Sequence, residues 1–410
     1  MSGGGRVLLI GLGKQGRAAL WDLIRSEVVE EVIATDISSE AEEYVRSLKS
    51  GKVTFTRSNL KNESKISELM KDVDLVVDLA PGQFAFSIAK LAIMNGKHLV
   101  NAMYLIDPTS VADPVKHQEL REEIRRLDEL AREKNITVLP EFGLDPGIDL
   151  VLTGQAVKEL DEVHELYTYG AGIPEPKAAA TNPLKYKVTW SFNGVLRSYK
   201  RPARVIRDGR VEVIPSNEIF SPENCHEMEI EDVGLLDAYP NGDAVEYAER
   251  FGLLKTLKFA ARYSMRWSGH CQFWKKLVDL HFLDDTPINV GNVVVTPREF
   301  LAALLEPQLR LRDDERDVAI VRVDARGVKN SRKVRVVYQL IDYRDLSTGF
   351  TAMQRTTGFT ASIGAQMILR GDISRKGIIF PGTDIPFNVF QAELEKRGMK
   401  IERFVEELTG

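Results

Sequence analysis

The sequence predicts an α/β chain in which a Rossmann doubly wound parallel sheet is followed by a central α+β domain. Three observations predict it. An aliphatic run, Val7 to Ile10 behind Arg6, enters GLGKQG with glycines at positions 11, 13 and 16. Short β-rich runs then alternate with helical periodicity from residue 6 to about 142, the pattern of parallel strands joined by crossover helices. Beyond Phe142 the alternation gives way to longer β-rich stretches broken by isolated helical ones.

In chain order the expected strands are 6–10, 32–35, 53–56, 75–79, 98–101 and 136–139, with helices between them. The most charged helix, HQELREEIRRLDELAREK, places Leu120, Ile124, Leu127 and Ala131 at three- and four-residue spacing. One face packs and the charges lie on the other, so no partner is read from them. GLDPGID is a turn-and-cap sequence that leads into an amphipathic segment ending near Leu160. The domains expected are therefore 1–142, completed by helices from 350–410, and 143–349. Within the second, LYTYGAG, YKVTWSF, ARVIRDGRVEVIP, AIVRVDARG and VRVVYQLIDY read as strands, while CQFWKKLVDL and REFLAALLEP read as helices. The closing stretch, TTGFTASIGAQMILRG and FQAELEKRGMKIERFVEEL, reads as helical.

The glycines have separable uses. Gly11 makes the strand-to-helix turn, Gly13 lets backbone approach a pyrophosphate, and Gly16 lets the helix pack on the strand. The helix beginning near Lys14 and Gln15 directs free N–H groups and its positive dipole end at phosphates. Asp36, twenty positions after Gly16 and at the end of the second strand, can accept from ribose hydroxyls and would repel a 2′-phosphate. The pattern predicts a dinucleotide site with NAD favoured and NADP the alternative.

With 410 residues, 43% of them hydrophobic and 28% charged, the chain is long enough for two or three globular domains. A net charge of −5 argues against nucleic acid, and no apolar stretch is long enough for a membrane partner. The start, MSGGGRVLLI, lacks a signal-peptide apolar region. Cys225 and Cys271, far apart and in no CxxC, suggest neither a disulfide framework nor zinc. A cytoplasmic setting and no metal are expected.

DLAPGQF, VNAMY, GLDPGID, NPLKYKVTWSFNGVL, RPARVIRDG, AYPNGDAVEYAERFG, RWSGHCQFWKKL and MQRTTGF together resemble the saccharopine dehydrogenase and reductase family, including its L-lysine 6-dehydrogenase branch. GLDPGID followed about thirty residues later by NPLKYK is far more specific than the glycines. The resemblance implies a central substrate and dimerisation domain, a homodimer, and hydride transfer between a nicotinamide and a carbon bearing an amine nitrogen. The substrate would be a small amino acid such as lysine or saccharopine. It places 101–104 and 144–146, hence Asn101, Met103, Tyr104, Leu144 and Pro146, beside nicotinamide and substrate, and Ala80 and Pro81 along the cofactor. The chain departs from the saccharopine reductase pattern where Met103 stands in place of a serine and where Asn193 and Gly242 replace arginines. RPARVIRDG and RTTGF look more like the lysine 6-dehydrogenase branch. Reduction of an imine built from a diamine, as in carboxynorspermidine synthase, is the third alternative.

Amine oxidation needs a neutral nitrogen and a group or water to take protons. Asp145, at the ligand-facing end of the sixth strand, is the first candidate to orient the amine or its attacking water, or else it caps the next helix. Tyr104 is a hydrogen-bonding candidate. Lys185 and Lys187 would share a face if NPLKYK is a strand, and Lys187 is the candidate base. Arg204 and Arg266 are candidates for a substrate carboxylate. His270 reads as structural.

Overall fold

The computed structural model describes residues 4–106, 110 and 114–408, and the chain divides into two units. The first comprises Met1–Leu152 and Gln354–Lys400, the second Thr153–Met353 and Ile401–Gly410. The division expected at 142/143 thus falls ten residues later, inside the helix Ile148–Lys158. That helix is not amphipathic as expected: Ile148, Leu150, Val151, Leu152 and Ala156 are all buried.

In the first unit β1 (Gly5–Ile10), β2 (Val29–Asp36), β3 (Val53–Arg57), β4 (Leu75–Asp78), β5 (His98–Asn101) and β6 (Thr137–Leu139) form one parallel sheet. A short strand from the far end of the chain, Gly377–Ile378, extends it beside β6. The order from that strand is β6-β5-β4-β1-β2-β3, so the winding direction reverses between β1 and β4. Open α/β sheets bind ligands at that reversal, outside the carboxyl ends of the strands. The central strands are aliphatic because both faces are covered: Leu8, Ile10, Val76, Leu99 and Val138 pack with Ile88, Ile93 and Leu127.

The return segment is anchored by a buried carboxylate. Asp22, on α1 (Lys14–Leu23), accepts from Ser362 at 2.6 Å, Gln366 at 2.8 Å and both Nε and Nη2 of Arg397 at 2.8 Å. The helix Thr360–Arg370 lies so close to the sheet that a Cβ on Gly364 would come within 2.7 Å of the Phe142 ring. The helical expectation fails at the end of the chain, where Ile401–Glu407 is a strand of the second unit. IERFVEE carries β-branched and aromatic residues in short range, and cross-strand pairing outweighs helix propensity.

The second unit holds β7 (Glu162–Pro174), β8 (Ala203–Arg207), β9 (Arg210–Ile214), β10 (His226–Ile230), β11 (Gly234–Pro240), β12 (Phe259–Trp267), β13 (Ile288–Val290), β14 (Val293–Val295), β15 (Asp317–Lys329) and β16 (Arg332–Tyr343). Its main sheet runs β10-β11-β12-β7-β15-β16 and ends on Ile401–Glu407. Every neighbour along that path is antiparallel except β12 and β7. Residues 186–192, expected as a strand, form bends and then a helix, Phe192–Ser198, capped by the Ser191 hydroxyl. Their aromatic and branched character serves the core instead: Tyr186, Val188 and Phe192 pack with Tyr199, Tyr239 and Trp274.

Candidate active site

The glycines that sequence reasoning assigned to a nucleotide stand at the turn between β1 and α1. Gly11 has φ +89°, and a Cβ there would lie 2.8 Å from Leu79 and Ala80 backbone atoms. Gly16 faces Gly11 directly. Gly13, the N-cap of α1, has nothing within 4 Å of a built Cβ and receives no side-chain cap. Lys14 is exposed and Gln15 partly so, leaving the first turn of α1 presented at the sheet edge. An anion fits there, since the N–H groups of a first helical turn and the helix dipole both favour it. These residues suit a dinucleotide.

Asp36 ends β2 and already organises the cradle: Oδ2 accepts the Leu12 N–H at 2.7 Å and Oδ1 the Ser38 N–H at 2.8 Å. Each carboxylate oxygen retains a second acceptor site for a ribose hydroxyl. Arg57 stands opposite Asp36 on β3 and donates to the Ile37 carbonyl at 2.7 Å, so a cation adjoins Asp36.

The exits of β4, β5 and β6 are laced together. Asn101, fully buried, donates to Asp78 Oδ2 at 2.7 Å and accepts the Met103 N–H at 2.5 Å. The backbone continues the connection, with Phe142 N–H donating to Asn101 O at 2.9 Å and Glu141 N–H to Met103 O at 3.2 Å. A Cβ on Gly143 would lie 3.3 Å from Ala102 and 3.2 Å from Thr357. This brings Ala80, Asn101, Met103, Tyr104 and Leu144 to one edge of the sheet. Leu144 and Pro146 are buried, whereas Asp145 between them is exposed. The carboxylate anchoring this turn belongs to Asp149, whose Oδ1 accepts the Gly147 N–H at 2.7 Å.

Sequence reasoning assigned no site role to Asp78, to Glu141 or to the π-helical turn Arg355–Phe359, although DLAPGQF and RTTGF were among the motifs it quoted. Asp78 carries a signal: an acid closing the strand LVVD, whose every residue is buried. Burial pushes its carboxyl up to about 7, against the Ala80 N–H that favours the charged form. Gly358 of the π turn approaches α1 so closely that a Cβ would lie 2.4 Å from the Gln15 carbonyl. π turns of this kind concentrate at functional sites.

The candidates of the second unit are engaged locally. Lys187 is buried and pairs with Glu315 at 2.9 Å, while Lys185 is exposed and donates to the Ser268 carbonyl. They share no strand face, because no strand forms there. Arg204 pairs with Asp243 at 2.7 Å. Arg266 is 6% exposed and donates to the Met265 carbonyl, and its Nε has no hydrogen-bond partner among the described residues. His270 is also buried, 3.0 Å from the Tyr199 hydroxyl; burial, then the Arg266 charge, holds its pKa well below the usual imidazole value. Cys225 and Cys271 are free thiols. Among the described residues no cluster of three or more acidic, histidine or cysteine side chains suits a metal, and no helix is long and apolar enough to cross a membrane.

Comparison with known proteins covers nearly the whole chain. The family description "Saccharopine dehydrogenase NADP binding domain" matches residues 7–139, and "Saccharopine dehydrogenase C-terminal domain" matches 143–399. The chain is 27% identical to the saccharopine dehydrogenase [NADP(+), L-glutamate-forming] of Pyricularia oryzae over 75% of its length and 79% of the relative. It is 26% identical to the mitochondrial alpha-aminoadipic semialdehyde synthase of Mus musculus over 92% of its own length, but spans only 45% of that relative. Its fold is similar to the apo saccharopine dehydrogenase (L-Glu forming) of Saccharomyces cerevisiae, with TM-score 0.82, 22% identity, and coverage of 98% of this chain and 100% of that one.

Proposed function

The chain belongs to the saccharopine dehydrogenase family, and from that premise we propose that it is an NAD(P)-dependent oxidoreductase acting on the C–N bond of a lysine-derived amine, with saccharopine the first candidate. The observation that carries this reading is the lacing of the cradle edge to GLDPG through Asn101, Met103 and Phe142. A bound nicotinamide supplies the hydride acceptor or donor at its carbon 4. The chain's own residues bind and aim. Backbone around Gly11, Gly13, Lys14, Gln15 and Gly16 holds the pyrophosphate, and Asp36 the ribose. Ala80, Pro81, Asn101, Leu144 and Pro146 border the ring, and Met103 the substrate.

In the oxidative direction the substrate nitrogen loses a proton and its carbon a hydride, giving an imine. Water then adds, and the C–N bond breaks to leave a carbonyl and an amine. Asp145, exposed at the β6 exit, is suited to accept from the amine or from that water, and Tyr104 to hydrogen-bond the substrate. Lys187 is better suited to structure than to proton transfer, because Glu315 occupies its ammonium. Arg204 and Arg266 remain the proposed carboxylate cations, Arg266 through its unpartnered Nε.

Asp36 supports NAD, and Arg57 beside it gives a 2′-phosphate a partner. A homodimer is part of the same reading. It is supported by the two-stranded sheet β13–β14, where Ile288, Val290 and Val293 share one face and are 46%, 58% and 60% exposed. Two free thiols suit a reducing cytoplasm.

A second reading, L-lysine 6-dehydrogenase, is favoured by the two missing arginines. Asn193 Oδ1 is taken by Arg298 Nη1 at 3.2 Å, and Gly242 has φ +82°, a conformation an arginine would adopt only under strain. Fewer guanidinium forks suit a substrate with fewer carboxylates. Incubating the purified protein with NAD+ or NADP+ and either saccharopine or lysine, while following reduced-nicotinamide absorbance, separates the two. Reduction with saccharopine is expected; a response to lysine alone would overturn the first reading, and none with either would overturn both.

A further inference from the structure

Asp78 closes β4 as a carboxylate only 1% exposed, and it forms no ion pair among the described residues. An acid so placed is costly, and an aliphatic residue would fill the end of LVVD at lower free energy. What the acid does that an aliphatic cannot is bond two loops at once. Its Oδ1 accepts the Ala80 N–H at 3.0 Å, and its Oδ2 accepts Asn101 Nδ2 at 2.7 Å. Asn101, paired with Asp78 across β4 and β5, relays the connection by accepting the Met103 N–H. Side-chain packing joins the same loops, since a Cβ on Gly82 would lie 2.7 Å from Met103 Cε.

We propose that Asp78 is a positioning residue of the hydride-transfer site, setting through Ala80 and Asn101 the relation between the two loops that border the reacting ring. This rests on the proposed function in placing the nicotinamide at the β4–β5 edge. The carboxylate touches neither ring nor substrate. Ionised, it accepts at both oxygens and so fixes which way the Asn101 amide faces: Nδ2 must point to it and Oδ1 to Met103.

Directionality gives a specific test. In Asp78→Asn the new amide faces the Asn101 amide, and if Asn101 turns over to satisfy it, the Met103 N–H loses its acceptor. The double variant Asp78→Asn with Asn101→Asp restores every bond with the carboxylate on the other strand. The measurements are kcat with saccharopine and with lysine, the dissociation constant of NADH, and the emission of bound NADH, which reports the ring's surroundings without turnover. Asp78→Asn should lower kcat by about tenfold or more, alter bound-NADH emission and leave NADH affinity within about twofold, because the phosphates are held elsewhere. The double variant should recover kcat and emission. Unchanged kcat and emission in Asp78→Asn, an affinity loss as large as the kcat loss, or a double variant no better than the single overturns the proposal. If the wild type binds NADH but oxidises neither amine, the proposed function fails, and the emission comparison alone decides the role of Asp78. Failure to bind NADH overturns both.

Discussion

Gly16 packs against Gly11 so closely that a Cβ placed on it would lie 1.9 Å from the Gly11 carbonyl oxygen. Backbone cannot yield there without separating α1 from β1. Gly16→Ala should therefore destabilise the first unit by about 1–3 kcal/mol, the range for overpacking, read as a lower urea midpoint. Gly13→Ala meets open space and should keep the wild-type midpoint, yet weaken NADH by about tenfold through interference with the pyrophosphate. Equal NADH affinity in Gly13→Ala and wild type would place the phosphates elsewhere.

If Asp36 holds the ribose as proposed, its charge decides between coenzymes. Wild-type kcat/KM should be higher with NAD than with NADP. Asp36→Ser should move that ratio toward NADP by about tenfold, as a repulsion of roughly 1.4 kcal/mol against the 2′-phosphate is removed. The Leu12 N–H loses its acceptor too, so activity with NAD should fall. A wild-type preference for NADP would assign the ribose site to Arg57 instead.

The titration of Asp78 predicts a pH dependence of stability. Its folded pKa, about 7, lies above the roughly 3.9 of an unfolded aspartate. Between those values the folded state keeps a proton that the unfolded state has released. The stabilisation is full below about pH 4 and is lost as pH rises through 7, at up to about 1.4 kcal/mol per unit. Asp317, raised by burial to about 6, adds a similar slope over a lower window. Subtracting the Asp78→Asn profile from the wild-type profile isolates Asp78, and a difference that is flat from pH 4 to 8 would contradict the raised value.

The β13–β14 hairpin pairs with no other strand among the described residues, and such hairpins are marginal alone in water. If its apolar face meets a second copy, Val290→Asp with Val293→Asp should convert a dimer to a monomer in sedimentation, with the fold intact. A wild type that sediments as a monomer at micromolar concentration would remove the dimer from the proposed function.

The first sheet was legible because its signals are local. Aliphatic strands, GLGKQG and Asp36 each specify their own geometry within a few residues, and β1, β3 and β5 lie within a residue or so of where periodicity puts them. The strand Gly377–Ile378 was not legible, since two residues carry no periodicity and their partners Thr137 and Val138 are distant in sequence. The same holds for Ile401–Glu407, whose state is set by pairing with β16. In the site, Gly11, Gly13 and Gly16 could be read from backbone requirements. The fates of Lys187 and Arg204 could not, because Glu315 and Asp243 are 128 and 39 residues away along the chain.

Lys187 and Glu315 provide the sharpest separation of structure from chemistry in the second unit. Their side chains are 6% and 5% exposed, and the lysine also donates to the Arg310 carbonyl at 3.4 Å. Breaking a buried pair strands a charge, so Glu315→Gln alone should cost about 3–5 kcal/mol, with Arg312, 3.0 Å from Glu315, losing a partner as well. Replacing both charges, as Lys187→Met with Glu315→Leu, should recover most of that loss, because well-packed apolar pairs of similar volume are often neutral or better. A structural lysine predicts that kcat is recovered along with stability in the double variant. A base predicts a folded, stable double variant whose kcat stays low at every pH, and that outcome would return Lys187 to the chemistry.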